Sequence, residues 1–166
     1  MSVSGKSILA LMLFSLAAAV QAAPRAEILE YGYYEFTGET RRLLHPAVTS
    51  GFVQQGEARL VEQTERIPIE RGRLFGFRFR ISGVDRNVGL IPLELVVTHP
   101  KMEKPDGTTS TGYRYTLDLK LEQGMVEDKT GYRLNEAYEM VEGEWVFEYR
   151  FMNRPLMVQR FTTYKP

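Results

Sequence analysis

Chemistry near neutral pH needs a side chain that gains and loses a proton there, and the chain has two histidines, His45 and His99, whose ordinary ionisation meets that need. Both stand before a proline, in His45-Pro46 and His99-Pro100. Proline drives the preceding residue out of the helical region, so each pair marks the end of a strand or loop. With nearby carboxylates they could serve a small hydrolase or lyase; the plainer reading is that both pairs end strands. Of the serines beyond the N-terminal leader, Ser50, Ser82 and Ser110, none lies in the Gly-x-Ser-x-Gly turn that exposes a nucleophile. Two isolated histidines, no cysteine and no Asp-x-Asp-x-Asp loop leave the zinc and calcium patterns unfilled. No catalytic set, metal or cofactor is expected.

Binding has more candidates. Arg71, Arg73, Arg78 and Arg80 form the densest basic cluster, and strand alternation places Arg78 and Arg80 side by side on a solvent face. They offer a ribbon to an anionic polysaccharide or acidic protein segment. Otherwise they pair across strands with the acids just before them, Glu62, Glu65 and Glu70, at about 0.2–1 kcal/mol per pair. Tyr31, Tyr33, Tyr34 and Phe36 form an aromatic set, and the consecutive Tyr33 and Tyr34 must face opposite sides of a strand. At least one ring then leaves the core, free to stack on a sugar, meet a protein partner or pack beneath the long 38–55 connection. Tyr33, Tyr34, His45, Arg78 and Arg80 are the candidate binding residues.

The elements that position these residues read as strands. Trp145, Phe147, Tyr149 and Phe151 recur every second residue, followed by Met152-Asn153-Arg154-Pro155 and a return strand to Tyr164, a final hairpin. Phe75, Phe77, Phe79 and Ile81 alternate with Gly76, Arg78 and Arg80, and Tyr113, Tyr115, Leu117, Leu119 and Leu121 alternate with polar residues. Residues 26–36 form a first strand interrupted by Gly32, the sign of a bulge or a close backbone approach. Residues 57–69 read as an outer strand ended by Pro68, and 90–98 as one buried on both faces or central in its sheet. Residues 38–55 read as a long connection with at most a short strand. Residues 101–112 form a mobile loop without an apolar anchor, Met125 to Lys129 a helical turn, and 132–140 a weaker strand. About seven strands with turns every ten residues predict a single-domain, all-β, antiparallel sandwich.

The N-terminus predicts export. Lys6 precedes an uncharged apolar run from Ile8 to Val20, and Val20-Gln21-Ala22 has the small-x-small pattern of a signal-peptidase site. Cleavage after Ala22 is expected, leaving residues 23–166 in the periplasm or outside the cell. The apolar run is shorter than the roughly twenty residues a span needs. Equal numbers of basic and acidic residues, 21 each, give nucleic acid and anionic membranes no global attraction. Lys165 and Pro166 discourage another strand from adding beside the last one, so a monomer is expected if that strand is an edge.

Gly143-Glu144-Trp145 with Leu156 and Phe161, the Glu30-Tyr31-Gly32 opening, Thr98-His99-Pro100 and Pro105-Asp106-Gly107 give residues 26–164 a recognisable outline. On these motifs the chain resembles a bacterial family of small exported immunoglobulin-like domains of unknown function. The resemblance implies an immunoglobulin-like sandwich and carries over no catalytic residue. The expected role is a binding or adaptor module holding an envelope protein or glycan through loops or exposed tyrosines. A His45/His99 hydrolase is the second reading. An eight-stranded outer-membrane barrel is the third, although it would turn Arg78, Arg80, Asp118 and Lys120 into the lumen.

Overall fold

The alternation along residues 74–82 is realised as burial: Phe75, Phe77, Phe79 and Ile81 are at most 1% exposed, while Arg78 faces water. In this computed structural model, which describes residues 23–166, the strands are β1 (Arg25–Phe36), β2 (Arg41–Leu44), β3 (Phe52–Gln55), β4 (Ala58–Glu62), β5 (Arg66–Pro68), β6 (Leu74–Ser82), β7 (Leu90–Glu103), β8 (Thr109–Lys120), β9 (Val126–Arg133), β10 (Gly143–Phe151) and β11 (Arg154–Tyr164). The expected export segment and its cleavage site lie outside the described residues, where the domain boundary at 22/23 also falls. Strands β4-β1-β6-β9 make one sheet, β5-β11-β10-β7-β8 a second, and β2-β3 a separate hairpin.

The two larger sheets bury their aromatic faces against each other. Phe75 of the first meets Trp145 and Phe161 of the second edge-on, with ring centroids 5.1 and 5.4 Å apart, and Phe77 meets Phe147 at 6.1 Å. Such edge-to-face pairs add about 0.5–1.5 kcal/mol each beyond the area they remove from water. The sandwich predicted from alternation is therefore present. Its strands divide into two sheets with separate edges and do not close into a barrel. Among the described residues no helix is long and apolar enough to cross a membrane.

Eleven strands replace the seven expected, for identifiable reasons. Residues 57–69 change sheets: β4 pairs antiparallel with β1, and β5 pairs parallel with the end of β11. The 38–55 connection folds into the β2-β3 hairpin, registered Leu44↔Phe52 and Arg41↔Gln55. Met125 to Lys129 does not turn helically, because Val126–Arg133 pairs along β6 and buries Tyr132. The weak strand at 132–140 stops at Arg133 and gives way to a 3-10 turn, Ala137–Glu139. Residues 101–112 do possess an apolar anchor. Met102 is fully buried, and β7 and β8 pair past a register shift between Thr98 and Met102. The central position of residues 90–98 holds, since β7 lies between β10 and β8.

The last strand is not the outermost. β5 lies beside Thr162, Thr163 and Tyr164, so Lys165 and Pro166 follow a covered strand end, and the condition attached to the monomer expectation is not met there. The sheet edges are β4, β9, β5 and β8.

Candidate binding cleft

Strand β1 places its tyrosines on opposite faces. Tyr33 is paired with Phe75 on the core side, and Tyr34 with Leu74 and Leu60 on the outer side. A register shift between Tyr33 and Tyr34 accompanies the change from one β4 partner to the next. Tyr33 is spoken for: its hydroxyl donates to Glu62 Oε2 at 2.7 Å, and the Arg73 guanidinium lies 4.4 Å above its ring. Tyr34 is different. It lies on the outer face yet is only 9% exposed, and its buried hydroxyl has no partner among the described residues. Burial first, then the charge of the Glu30 carboxylate and its place as the acceptor nearest the hydroxyl, push its ionisation well above the ordinary phenol range.

The floor beside Tyr34 is backbone. Gly76 of β6 and Gly131 of β9 are paired, and both lie on the outer face of the sheet. A Cβ on Gly76 would meet the Thr130 carbonyl oxygen at 2.0 Å, and one on Gly131 would meet the Phe75 carbonyl oxygen at 2.5 Å. Close approach of the two strands thus requires glycine at both positions, and the same requirement leaves the sheet bare of side chains there. Above this floor the base of the β2-β3 hairpin supplies Arg41, Gln54 and Gln55. The chain at Gly56 and Glu57 then arches over the sheet. Lys129 of β9 holds the arch by donating to the Gly56 carbonyl at 3.1 Å. The half-open cleft has a volume of about 670 Å³, within the range of small-ligand pockets. Phe36, Arg78 and Lys129 also line it.

Of the five residues singled out in the sequence, the structure brings Tyr34 and Arg78 to this cleft and leaves the others elsewhere. Arg78 pairs with Glu30 and Glu127, both at 3.7 Å, and Arg80 with Glu127 at 2.6 Å and Glu27 at 3.5 Å. The expected partners Glu62, Glu65 and Glu70 are not used by these two arginines. The neighbours of β6 are β1 and β9, and the segment just before it is carried to other edges. His45 packs its ring against Tyr115 at 4.5 Å, and its Nδ1 is buried without a partner. Gln54, Arg41 and the paired glycines were not singled out. Two glycines interrupting separate strands were the available signal, and their pairing depends on a register that one sequence does not state.

The second histidine builds a sealed cluster. His99 Nδ1 lies 2.7 Å from the Pro100 carbonyl oxygen, which can only accept, so Nδ1 carries the proton and Nε2 accepts. Thr49 Oγ1 donates to Nε2 at 2.8 Å and lies 3.0 Å from Ser110 Oγ, whose single proton is shared between Thr49 and the Gly112 carbonyl at 3.1 Å. This chain of serine, threonine and imidazole could relay a proton, yet His99 and Thr49 are 3% and 4% exposed and no carboxylate among the described residues bonds the ring. His99 packs against Trp145 at 5.0 Å. The geometry ties the 45–51 loop, and with it the hairpin, to β7 and β8.

Burial lowers the His99 pKa; the Pro100 carbonyl opposes this and the Lys104 charge adds to it. The folded chain therefore binds the proton less readily than the unfolded one. Its stability is complete above the ordinary imidazole value of about 6.5 and falls as the pH drops below it, by at most about 1.4 kcal/mol per pH unit from this group. Denaturation midpoints compared from pH 7.5 to 5 should show this slope. His99→Gln, whose amide oxygen can still accept from Thr49, should flatten it; an unchanged slope in that variant would assign it to other groups.

Two mainly antiparallel layers packed face to face define the chain as an immunoglobulin-like sandwich. Residues 22–163 match the family described as a domain of unknown function, DUF3859, and the chain belongs to that family. It is similar to a solved crystal structure, an immunoglobulin-like protein from Pseudomonas aeruginosa, at 26% identity and a TM-score of 0.58 over 88% of this chain and 100% of that one. No curated protein matches. The immunoglobulin-like family of unknown function expected from the Gly-x-Trp hairpin and its companion motifs is thus the one found.

Proposed function

We propose that the protein is an exported, non-enzymatic binding module that works as a monomer in the periplasm and holds a segment of an envelope protein or glycan in the cleft beneath the β2-β3 hairpin. The carrying observation is Tyr34: the residue lines an open cleft, and its buried hydroxyl, without a partner among the described residues, costs about 1–3 kcal/mol. A ligand acceptor reached as the ring shifts toward the cleft would relieve that cost. The mixed lining of guanidinium, ammonium, amide and aromatic groups with the carboxylates of Glu39, Glu57 and Asp128 suits a polar ligand, and the glycine floor lets it approach the backbone. The export reading rests on Lys6, the apolar run and Val20-Gln21-Ala22. The monomer reading rests on the charged residues Arg114, Asp118 and Lys120 along the β8 edge, which discourage strand addition.

Tyr34→Phe tests the site. The variant should be more stable than the native chain by about 1 kcal/mol, since it deletes a partnerless polar group and keeps the ring. At the same time it should lose envelope material that the native protein retains from periplasmic extracts. Lower stability would show that the hydroxyl is satisfied within the fold, and equal retention would remove the cleft from recognition.

A further inference from the structure

The basic cluster Arg71, Arg73, Arg78 and Arg80 does not stay together. Arg78 and Arg80 meet acids on the outer face, and Arg73 pairs with Glu70 and stacks on Tyr33. Arg71 turns the other way, at the Arg71-Gly72 bend where Gly72 has φ of 87°. There it joins two arginines distant in sequence, Arg42 of β2 and Arg133 at the end of β9, around a concavity of about 350 Å³.

Each guanidinium is held by part of its donor set. Arg71 Nε donates to the Asn135 carbonyl at 3.0 Å. Arg133 Nε donates to the Gly72 carbonyl at 3.0 Å, and its Nη1 donates to Gln54 Oε1. Arg42 lies 4.1 Å above the Phe52 ring, with Glu136 Oε1 at 3.5 Å. Both terminal nitrogens of Arg71 and Nη2 of Arg133 have no protein acceptor among the described residues. Among the described residues Glu136 is the only carboxylate lining the concavity, so three positive charges meet one negative. Gathering like charges is unfavourable unless an anion joins them.

We propose that this concavity binds a phosphate group carried on a larger molecule. Its balance of two positive charges matches a phosphate monoester, which carries about −1.5 to −2 near neutral pH. Planar guanidinium forks suit its oxygens. The space exceeds what a bare phosphate fills and leaves room for a substituent such as a sugar or a headgroup. This site adjoins the cleft, with Gln54 lining both, but none of its three arginines lines the cleft and Tyr34 does not line the concavity.

The test follows arginine Nε–H resonances of the full-chain protein during titration with inorganic phosphate, glucose 6-phosphate, glucuronate and glucose. Saturable shifts at Arg71 and Arg133 are expected with the two phosphates, tighter for the ester and weakened by salt, with glucuronate weaker and glucose silent. Arg71→Gln should weaken glucose 6-phosphate about tenfold. Glu136→Gln should tighten it, and Arg160→Gln, whose arginine pairs with Glu144 elsewhere on the surface, should change nothing. Sedimentation with phosphatidylglycerol vesicles separates the sources: binding to vesicles lost in Arg71→Gln assigns a lipid headgroup, and binding to the soluble ester alone assigns a soluble ligand. The proposal is overturned if no saturable shift appears, if glucuronate binds as tightly as the ester, or if Arg71→Gln and Arg160→Gln behave alike.

Discussion

Trp145→Ala is expected to remove about 3–5 kcal/mol from the unfolding free energy, the range for truncating a fully buried large aromatic ring. The ring is completely buried. It stands between the sheets with Phe75 at 5.1 Å, Tyr132 at 4.7 Å and His99 at 5.0 Å, so its removal opens a cavity where three separate elements meet. The indole nitrogen is buried without a partner, so the ring contributes through packing and not through a polar contact. Trp145→Phe should therefore recover much of the loss. Urea denaturation followed by circular dichroism measures both variants, and a loss below about 1 kcal/mol for the alanine would show that the ring does not close the core.

Glu139→Ala should cost about 3 kcal/mol, for the opposite reason. This carboxylate is fully buried, yet its bonding is rich. Oε1 accepts from the Tyr132 hydroxyl at 2.6 Å, and Oε2 accepts from the backbone N–H groups of Asn135 and Glu136 at 2.6 and 2.8 Å. Alanine would strand three donors at once. Glu139→Gln keeps an oxygen for the two amides and offers Tyr132 a nitrogen to donate to its oxygen, so it should cost only about 1 kcal/mol. The same denaturation experiment compares the pair, and equal losses would mean that the charge, not the bonding pattern, is what the site requires.

These two residues also mark how far the sequence reaches. Trp145 was legible because alternation with Phe147 and Tyr149 is a local signal, and local signals fixed β6, β8, β10 and β11. Glu139 was not: in sequence it is one more acid in a polar stretch, and its role depends on Tyr132 arriving from a strand edge. Met125 to Lys129 misleads for a related reason, since its composition suits a helical turn and pairing with β6 overrides it. The division of residues 57–69 between two sheets is equally silent, because sheet membership is decided by long-range pairing.

The site follows the same rule. Opposite facing of Tyr33 and Tyr34 was readable from the two-residue period of a strand, and so was the outward face of Arg78 and Arg80. Which acids neutralise those arginines, which glycines meet, and that Arg42, Arg71 and Arg133 converge all depend on strand order. The sealing of His99 behind Thr49 and Ser110 is another such outcome. It turns the strongest chemical signal in the sequence, an isolated imidazole, into a structural tie.

Photocrosslinking in living cells tests the cleft most directly. A photoreactive phenylalanine analogue placed at Gln55 or Arg41, both on the cleft wall, should capture a discrete envelope component, whereas the same group at Arg160 on the opposite sheet should not. Capture from both cleft positions and not from Arg160 is the result the binding-module account requires. No adduct from the cleft, or the same adducts from all three positions, would contradict it.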